Sequence, residues 1–293
     1  MAQLKEIRTR IASIKNTRQV TSAMKMVSAA KLKKSQDTIL HLAPYETKLQ
    51  SIIQNLSLGD VHFDSIFFDE PAADNILIVV IGSNRGLCGA FNSNIYKTAM
   101  LHTLENYKYQ LNKGQVKFFV IGHQVEKALI RRKVDIHGVS HHLLDSPSYE
   151  NISKLAIELM DMFSWGVFNR IDIVYNKFKN AATQILSSDQ FLPVKKPDNV
   201  ERALVLPDYI FEPSEDEILN KLVPDALKMK LYRIMLDSQA AEHGARMTAM
   251  HQATDNATKL MGELKQQYNN ARQSAITNEI LEITAGAEAL KKS

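Results

Sequence analysis

The chain is poor in cysteine and in the residues that interrupt regular structure. Of its 293 residues, 11 are glycine, 8 are proline and only one, Cys88, is cysteine. A single cysteine excludes an intramolecular disulfide framework and a cysteine-rich zinc site. The longest apolar run, at 76–81, is far shorter than the ~20 residues that a membrane-spanning helix needs. The N-terminus also lacks the apolar core of a signal peptide, so we expect a protein that is soluble or peripheral to a membrane.

The few glycines and prolines are concentrated in the middle of the chain. Eight of the glycines and six of the prolines lie between Gly59 and Pro213. Residues 1–43 contain neither type, and residues 225–293 contain three glycines and no proline. Because these residues end helices and strands, the sequence predicts two uninterrupted ends around a punctuated central domain.

Both ends have the apolar periodicity of long helices. In the first, apolar residues recur at spacings of three and four: Leu4, Ile7, Ile11 and Ile14. We expect Met24, Val27 and Ala30 to continue this stripe in a slipped register, and we expect Pro44 to kink the helix without ending it. In the last, a heptad ladder runs from Ala226 to Ala275, and twelve of its fifteen positions are apolar. Sustained seven-residue spacing predicts that the two helices pair in a left-handed coiled coil.

Basic residues dominate the first helix. Residues 1–40 contain nine lysines and arginines and two acidic residues, whereas the whole chain has a net charge of only +4. This excess indicates either a solvated helix face or a surface for an acidic partner. No aromatic residues are interleaved with the bases, which disfavours nucleic acid and favours an acidic protein surface.

The middle of the chain alternates between strand and helix patterns. Strands are predicted at 75–81, 115–121, 134–139, 171–178 and 183–191, and helices at 92–111, 123–131 and 152–168, the first capped by Asn92 or Ser93. This order predicts a mostly parallel sheet with helices on both faces, in which the last two strands form an antiparallel hairpin. The predicted parts are therefore an N-terminal helix at 1–58, an α/β domain at 75–192, a linker at 193–216 and a C-terminal helix at 217–288.

Three features of the α/β domain suggest catalysis only weakly. The glycine turn at 82–92 (GSNRGLCGAFN) follows a strand, but its spacing matches neither a dinucleotide-binding nor a P-loop motif. We interpret it as a tight turn whose glycines allow close backbone approach. Cys88 is expected to be a small buried residue instead of a nucleophile. The cluster His137, His141 and His142 has no carboxylate or cysteine at metal-ligand spacing, so a surface loop is expected there. We therefore predict no catalytic, metal or cofactor site.

Four motifs together resemble one known family. They are AMKMVSAAKLKKSQ at 23–36, the glycine turn at 82–92, RMTAMHQATDNA at 246–257, and YNNARQSAITNEILEITAGAEAL at 268–290. In this order they are similar to the gamma subunit of F-type ATP synthase, and the resemblance covers effectively the whole chain. The chain departs from the family pattern at Ser83-Asn84, where an acidic residue usually precedes the arginine.

The resemblance implies a fold, a function and a set of partners. The N- and C-terminal helices would form a stalk, and the central domain would be a Rossmann-like sheet. The chain would be the non-catalytic rotor that couples proton-driven rotation of the c-ring to conformational changes in the catalytic beta subunits. Its partners would be three alpha and three beta subunits, the epsilon subunit and the c-ring, with one copy per complex. It would touch the membrane only through the c-ring, at the cytoplasmic face of a bacterial inner membrane, and would bind no nucleic acid.

The resemblance also transfers individual contacts. Met24 and Lys25 would face the acidic lever segment of beta, and Arg246, Gln273 and Thr277 would make polar contacts between the helix pair and beta. We add Arg8, Arg10 and Lys15 as part of the basic face that complements this acidic segment.

Two alternatives of other classes stay open from the sequence. One is a small-molecule enzyme built on the α/β domain, which would bind a nucleotide with micromolar affinity. The other is a static coiled-coil scaffold, which would bind its partner in a one-to-one ratio.

Overall fold

A computed structural model describes residues 2–57, 66–69, 71–181, 183–194 and 215–291. The chain divides into two compact units, one formed by residues 1–28 and 247–293 and the other by residues 29–246. Most of the predicted linker, residues 195–214, lies outside the described ranges. Among the described helices, none has the length and apolarity required to cross a membrane.

The elements follow the predicted order. They are α1 (Ala2–Ser57), β1 (Ile76–Ile81), α2 (Phe91–Asn106), α3 (Lys108–Asn112), β2 (Val116–Ile121), α4 (His123–Arg131), β3 (Ile136–Val139), α5 (Tyr149–Ser164), β4 (Arg170–Phe178), β5 (Gln184–Leu192) and α6 (Glu215–Lys291). Short 3-10 turns occupy Ile66–Phe68 and His141–Leu144. As predicted, the first helix continues through Pro44, and α6 also contains a proline, Pro224.

The first unit is an antiparallel pair formed by the start of α1 and the second half of α6. Arg8 Nη2 lies 3.4 Å from the Tyr268 hydroxyl, and Thr254 Oγ1 lies 2.9 Å from Thr21 Oγ1. Further along α1, Lys25 Nζ lies 3.3 Å from His251 Nδ1. As residue numbers rise on α1 they fall on α6, so the helices run in opposite directions.

Burial on α6 in this unit follows the predicted ladder. The least exposed positions include Met250, Thr254, Ala257, Met261, Leu264, Tyr268, Ala271 and Ala275. Three-four spacing of this kind aligns one stripe of side chains along the partner helix. The ladder residues therefore form the contact stripe of α6 in residues 250–275.

On α1 the predicted slip of register is wrong. The partly buried stripe of Leu4, Ile7, Ile11 and Ile14 continues without a slip through Arg18, Thr21, Lys25 and Ser28. Val27, expected on the stripe, is 58% exposed, and Ala30 is also exposed. The stripe continues with polar residues because their side chains find partners: Thr21 contacts Thr254, Lys25 contacts His251, and Ser28 Oγ donates to the Met24 carbonyl at 2.8 Å. Hydrophobic periodicity could not reveal these positions.

The second unit contains a five-stranded sheet in the order β3-β2-β1-β4-β5. β1 pairs in parallel with both β2 and β4, and β2 pairs in parallel with β3. β5 runs antiparallel to β4, as expected for a hairpin. The mostly parallel sheet is thus confirmed, with β1 at its centre and buried on both faces.

Helices cover both faces of this sheet. Leu77, Val79 and Ile81 of β1 belong to one core with α5 and the first part of α6. Ile76, Ile78 and Val80 point the other way, into a second core with α2 and α4. A strand buried on both faces requires the continuous apolar run that the sequence shows at 76–81.

The predicted cap of α2 is wrong. The helix begins at Phe91, and its N-cap position, Ala90, has no side chain that could cap it. Asn92 instead bonds back to the glycine turn, where its Oδ1 accepts the Ser83 backbone N–H at 3.0 Å. Ser93 Oγ donates to the Ala90 carbonyl at 2.9 Å. Both polar side chains are therefore used outside the capping role that their position suggested.

Candidate functional site

The glycine turn brings the carboxyl ends of β1 and β2 into direct contact. A Cβ on Gly82 would lie 2.4 Å from Val125 Cγ2, and a Cβ on Gly122 would lie 2.8 Å from the Gly82 carbonyl carbon and the Ser83 nitrogen. Gly122 also has a φ of +121°, which side-chain-bearing residues rarely adopt. At these two positions the turn after β1 packs directly on the turn after β2 and on Val125, and neither position has room for a side chain. This confirms the interpretation of a tight turn with close backbone approach.

Polar side chains form hydrogen bonds with one another inside this turn. Asn92 Nδ2 donates to Ser83 Oγ at 2.7 Å and approaches Cys88 Sγ at 3.2 Å. Cys88 is only 2% exposed, and burial raises the pKa of its thiol, although a hydrogen bond from Ser83 acts in the opposite direction. A neutral, enclosed thiol is a poor nucleophile. The expectation that Cys88 is a small buried residue is confirmed.

Arg246 ties α6 to the glycine turn. Its Nη2 donates to the Arg85 carbonyl at 2.9 Å, and its Nε donates to the Gly86 carbonyl at 3.3 Å. Nη1 forms a 2.7 Å ion pair with Glu242, one helical turn earlier. Burial raises the pKa of the Glu242 carboxyl, while the charge of Arg246 lowers it. Arg246 is only 6% exposed, and its guanidinium group binds partners within this chain. A contact between Arg246 and a beta subunit stays a prediction.

A second buried polar network lies at the start of β4. Asp172 is 1% exposed and accepts hydrogen bonds from His102 Nε2 at 2.7 Å and from the Tyr107 hydroxyl. Burial would raise the pKa of Asp172, but these two hydrogen bonds and the charge of Arg170 outweigh it and lower the pKa. A buried carboxylate with this many donors is stably ionised. The network joins α2 to β4, and its members are too far apart in sequence for a motif search to find.

His137 and His142 are exposed, as predicted, but the three histidines do not share one loop. His137 lies on β3 with its ring 5.0 Å from that of Phe168, whereas His141 packs on His123 with ring centroids 3.9 Å apart. His141, His123 and Glu126 bring three potential metal-ligand atoms within 4.8 Å of one another. However, His141 Nδ1 accepts the Gly122 backbone N–H at 3.0 Å, so its proton is on Nε2, 3.1 Å from Glu126. Because Nε2 of His141 carries this proton, it has no lone pair to offer a metal. The cluster instead links the 3-10 turn at His141–Leu144 to Gly122 and α4 by hydrogen bonds.

Of the predicted contacts on α1, three are exposed and two border the helix interface. Arg8, Arg10 and Lys15 are exposed, and Arg10 forms a solvent-exposed ion pair with Glu6 at 2.7 Å. Met24 and Lys25 are half-buried, and Lys25 reaches His251 of α6. Basic side chains therefore line the outside of the pair, while Lys25 is partly used inside it.

The predicted contacts on the last part of α6 are exposed. Thr277 Oγ1 donates to the Gln273 carbonyl at 2.9 Å, and both side chains face solvent. Large apolar side chains are exposed beside them: Ile276, Ile280, Leu281 and Ile283. On α1, Val20, Met26 and Val27 are exposed as well. Several large apolar side chains exposed within one stretch, as at 276–283, are typical of a surface that another protein covers.

These observations define the class of protein. An antiparallel helix pair carries exposed basic and apolar side chains, and the glycine turn of the α/β domain packs closely against the turn that follows β2. Such exposed side chains are typical of a chain that works within a protein complex.

Comparison with known proteins identifies the family. The ATP synthase family model matches residues 3–290. The chain is 48% identical to the ATP synthase gamma chain of Christiangramia forsetii and 50% identical to that of Flavobacterium johnsoniae, in each case over 99% of both chains. The chain belongs to the ATP synthase gamma chain family, and it is a non-catalytic rotor subunit of that enzyme.

Solved structures share the fold. A chain from the Euglena gracilis mitochondrial ATP synthase, solved as OSCP/F1/c-ring, matches with a TM-score of 0.68 at 20% identity and covers 99% of this chain and 95% of its own length. A chain from the central stalk and c-ring of the Tetrahymena thermophila mitochondrial enzyme matches with a TM-score of 0.58, covering 80% and 99%. These likenesses confirm the predicted fold class, an α/β sheet combined with long terminal helices.

Proposed function

We propose that this chain turns with a ring of c subunits inside a hexamer of three alpha and three beta subunits, as one copy per complex. Rotation driven by proton flow would present different faces of the helix pair to each beta subunit in turn. The α/β domain of this chain would bind the epsilon subunit and the c-ring, at the cytoplasmic face of a bacterial inner membrane. The chain would contact the membrane only through that ring.

The observation that carries this proposal is the uneven outer surface of the helix pair. Arg8, Arg10 and Lys15 give it exposed positive charge, whereas Met26 on α1 is 67% exposed and apolar. A ligand shifts a conformational equilibrium only through different contact free energies with the two conformations. A surface of unequal faces supplies such a difference to each beta subunit, whereas a uniform helix pair would not.

The composition of the complex gives the first test. Native mass spectrometry of the complex purified from membranes should find one copy of this chain with three alpha and three beta subunits. A one-to-one ratio of this chain to its partner would instead support the static scaffold. Micromolar nucleotide binding by the isolated chain, lost on mutation of the glycine turn, would support the enzyme alternative.

A cross-link gives the second test, because the sole cysteine is buried. Met26→Cys introduces an exposed thiol that can be labelled with a photoreactive maleimide while Cys88 stays protected. Light should attach the helix pair to a surrounding subunit and abolish ATP turnover, whereas the labelled complex kept in the dark should retain it. Full turnover after complete cross-linking would rule out rotation of this chain.

A further inference from the structure

A cleft within residues 29–246 has no role in the function described above. It has a volume of about 290 Å³ and lies between α1, the turn that leads into α5, and α6. Its wall is largely polar and includes Lys31, Lys34, Asp145, Ser148 and His243. A polar cleft of this size can hold a small charged ligand with several hydrogen-bonding partners.

The charge on the cleft wall is mainly positive. Lys31 and Lys34 are exposed, and neither ammonium group lies within ion-pairing distance of a carboxylate in the described part of the chain. Asp145 is the one acidic side chain among the described residues that line the cleft. The nearby Glu242 is engaged by Arg246 at 2.7 Å. The charge of Lys31 also acts on the Glu242 carboxyl, so Lys34 is the less compensated of the two ammonium groups. Two ammonium groups and a single lining carboxylate favour an anionic ligand.

His243 supplies a buried donor to the same cleft. The residue is 6% exposed, and its Nδ1 lies 3.4 Å from Arg246 Nη1. Since arginine can only donate, Nδ1 is the acceptor and the proton of the neutral ring is on Nε2. Burial lowers the pKa of His243 to about 4, assisted by the charges of Arg246 and Lys31, so the ring is neutral at physiological pH. Among the described residues, the Nε2–H has no acceptor, which leaves it available to a ligand in the cleft.

The first turn of α5 lies at the opposite side of the cleft. α5 has 16 residues, and its N-cap is Ser148, whose Oγ accepts the Asn151 backbone N–H at 3.3 Å. Ser146 and Ser148 both line the cleft. The remaining N–H groups of a first helical turn and the positive end of the helix dipole favour an anion. Together with the lysines of α1 and His243 of α6, they place donors on the three helices that border the cleft, whose wall also includes Asp145.

We propose that this cleft binds a phosphate group through Lys31, Lys34, His243 and the N-terminus of α5. A tetrahedral dianion has enough oxygen atoms to accept from all four. The cleft opens to solvent at the lysines, so the group can be inorganic phosphate or the terminal phosphate of a nucleoside diphosphate. Such a ligand would join α1, α5 and α6, and its binding would tighten the packing of the helices on the sheet.

The test compares matched lysine variants of the full-length chain. Calorimetric titration with sodium phosphate, against sodium chloride at equal ionic strength, should give saturable binding with a dissociation constant of about 1 mM or lower and a raised melting temperature. Lys31→Gln and Lys34→Gln should each weaken binding by about tenfold. Lys33→Gln removes the same charge from an exposed neighbour that does not line the cleft and should leave binding unchanged.

Two further ligands identify the source of the phosphate group. If ADP binds no more tightly than inorganic phosphate, the site takes the free anion, and if ADP binds more tightly and is equally sensitive to Lys34→Gln, it takes the nucleotide. Equal weakening by Lys33→Gln would show general surface attraction and overturn the proposal. Identical behaviour in phosphate and in chloride would overturn it as well.

Discussion

Arg246 belongs to a sequence motif on α6, but its hydrogen-bonding partners lie in the glycine turn, in another part of the chain. The four-residue spacing to Glu242 is readable from the sequence, but the Arg85 and Gly86 carbonyls that it reaches are some 160 positions away. Their identity gives no signal, since a backbone carbonyl is present in every residue. The family motif at 246–257 therefore marks Arg246 as notable, whereas only the fold shows that it anchors α6 to the glycine turn.

The lowered pKa of His243, three residues before Arg246, should make the free energy of unfolding depend on pH. Its pKa is about 4 in the folded chain and ordinarily 6.5, so below pH 6.5 the unfolded state binds a proton that the folded state does not. Unfolding is therefore favoured as pH falls, and the stability present above pH 6.5 decreases by about 3 kcal/mol on reaching pH 4. Urea denaturation should show that His243→Gln lacks this part of the acid destabilisation. His251→Gln, an exposed histidine on the same helix, should behave like the parent. A pH profile of His243→Gln identical to that of the parent would mean that the His243 ring binds a proton equally well in the folded and the unfolded chain.

At the scale of elements, the meeting of β1 and β2 depends on two glycines. Gly122→Ala would place a Cβ 2.8 Å from backbone atoms of Gly82 and Ser83, at a φ of +121°. We expect this variant to unfold with about 1–3 kcal/mol less free energy than the parent. Gly86→Ala is the control because its Cβ would meet nothing within 4 Å and its φ is ordinary, so its melting temperature should be close to that of the parent. Equal stability of both variants would show that the two turns are not closely packed.

The helix pair gives a second prediction at this scale. Ala257 is buried on the contact stripe, and a larger side chain there would force the helices apart at a cost of about 1–3 kcal/mol. Ala257→Leu should therefore speed hydrogen exchange in peptides from 2–28 and 247–275 by roughly 5- to 150-fold. The neighbouring exposed position provides the control, because Thr258→Leu adds similar bulk towards solvent. If both variants exchange at the same rate, the stripe does not lie against α1.

The elements also show what a sequence can predict and where it fails. The strands at 76–81 and 116–121 and the helix at 123–131 agree with prediction because a buried strand or an amphipathic helix requires a characteristic apolar pattern. The stripe on α1 was predicted wrongly beyond Ile14, since Arg18, Thr21, Lys25 and Ser28 occupy inner positions. The side chains of Thr21, Lys25 and Ser28 find hydrogen-bonding partners across the pair or along α1. The α2 cap failed for a related reason: Asn92 has a better partner in the glycine turn. Hydrogen bonds between distant residues are the information that periodicity lacks.

At the scale of the whole molecule, the exposed apolar side chains of α6 and the exposed basic side chains of α1 should have different functions. The apolar side chains at 276–283 carry no charge with which to attract a partner from a distance, and they gain free energy only when covered. The exposed bases of α1 act over a Debye length of about 10 Å and are weakened by salt. We infer that the apolar end of α6 holds the helix pair in place, while the bases bias which conformation of a facing beta subunit is favoured.

This division of tasks predicts a distinctive salt response in the assembled enzyme. Neutralising Arg8, Arg10 and Lys15 to glutamine should slow ATP-driven rotation at low salt and flatten its dependence on salt between about 0.05 and 0.5 M, because the screened attraction is already missing. The matched control neutralises three exposed bases of the α/β domain, Lys97, Lys127 and Arg131, and should keep the parent's salt dependence. The amount of this chain in the purified complex should be the same for all three proteins, since the apolar contacts remain. Were the triple α1 variant to rotate like the parent at every salt concentration, the positive face of α1 would have no part in coupling, and the apolar surface alone would have to distinguish one beta conformation from another.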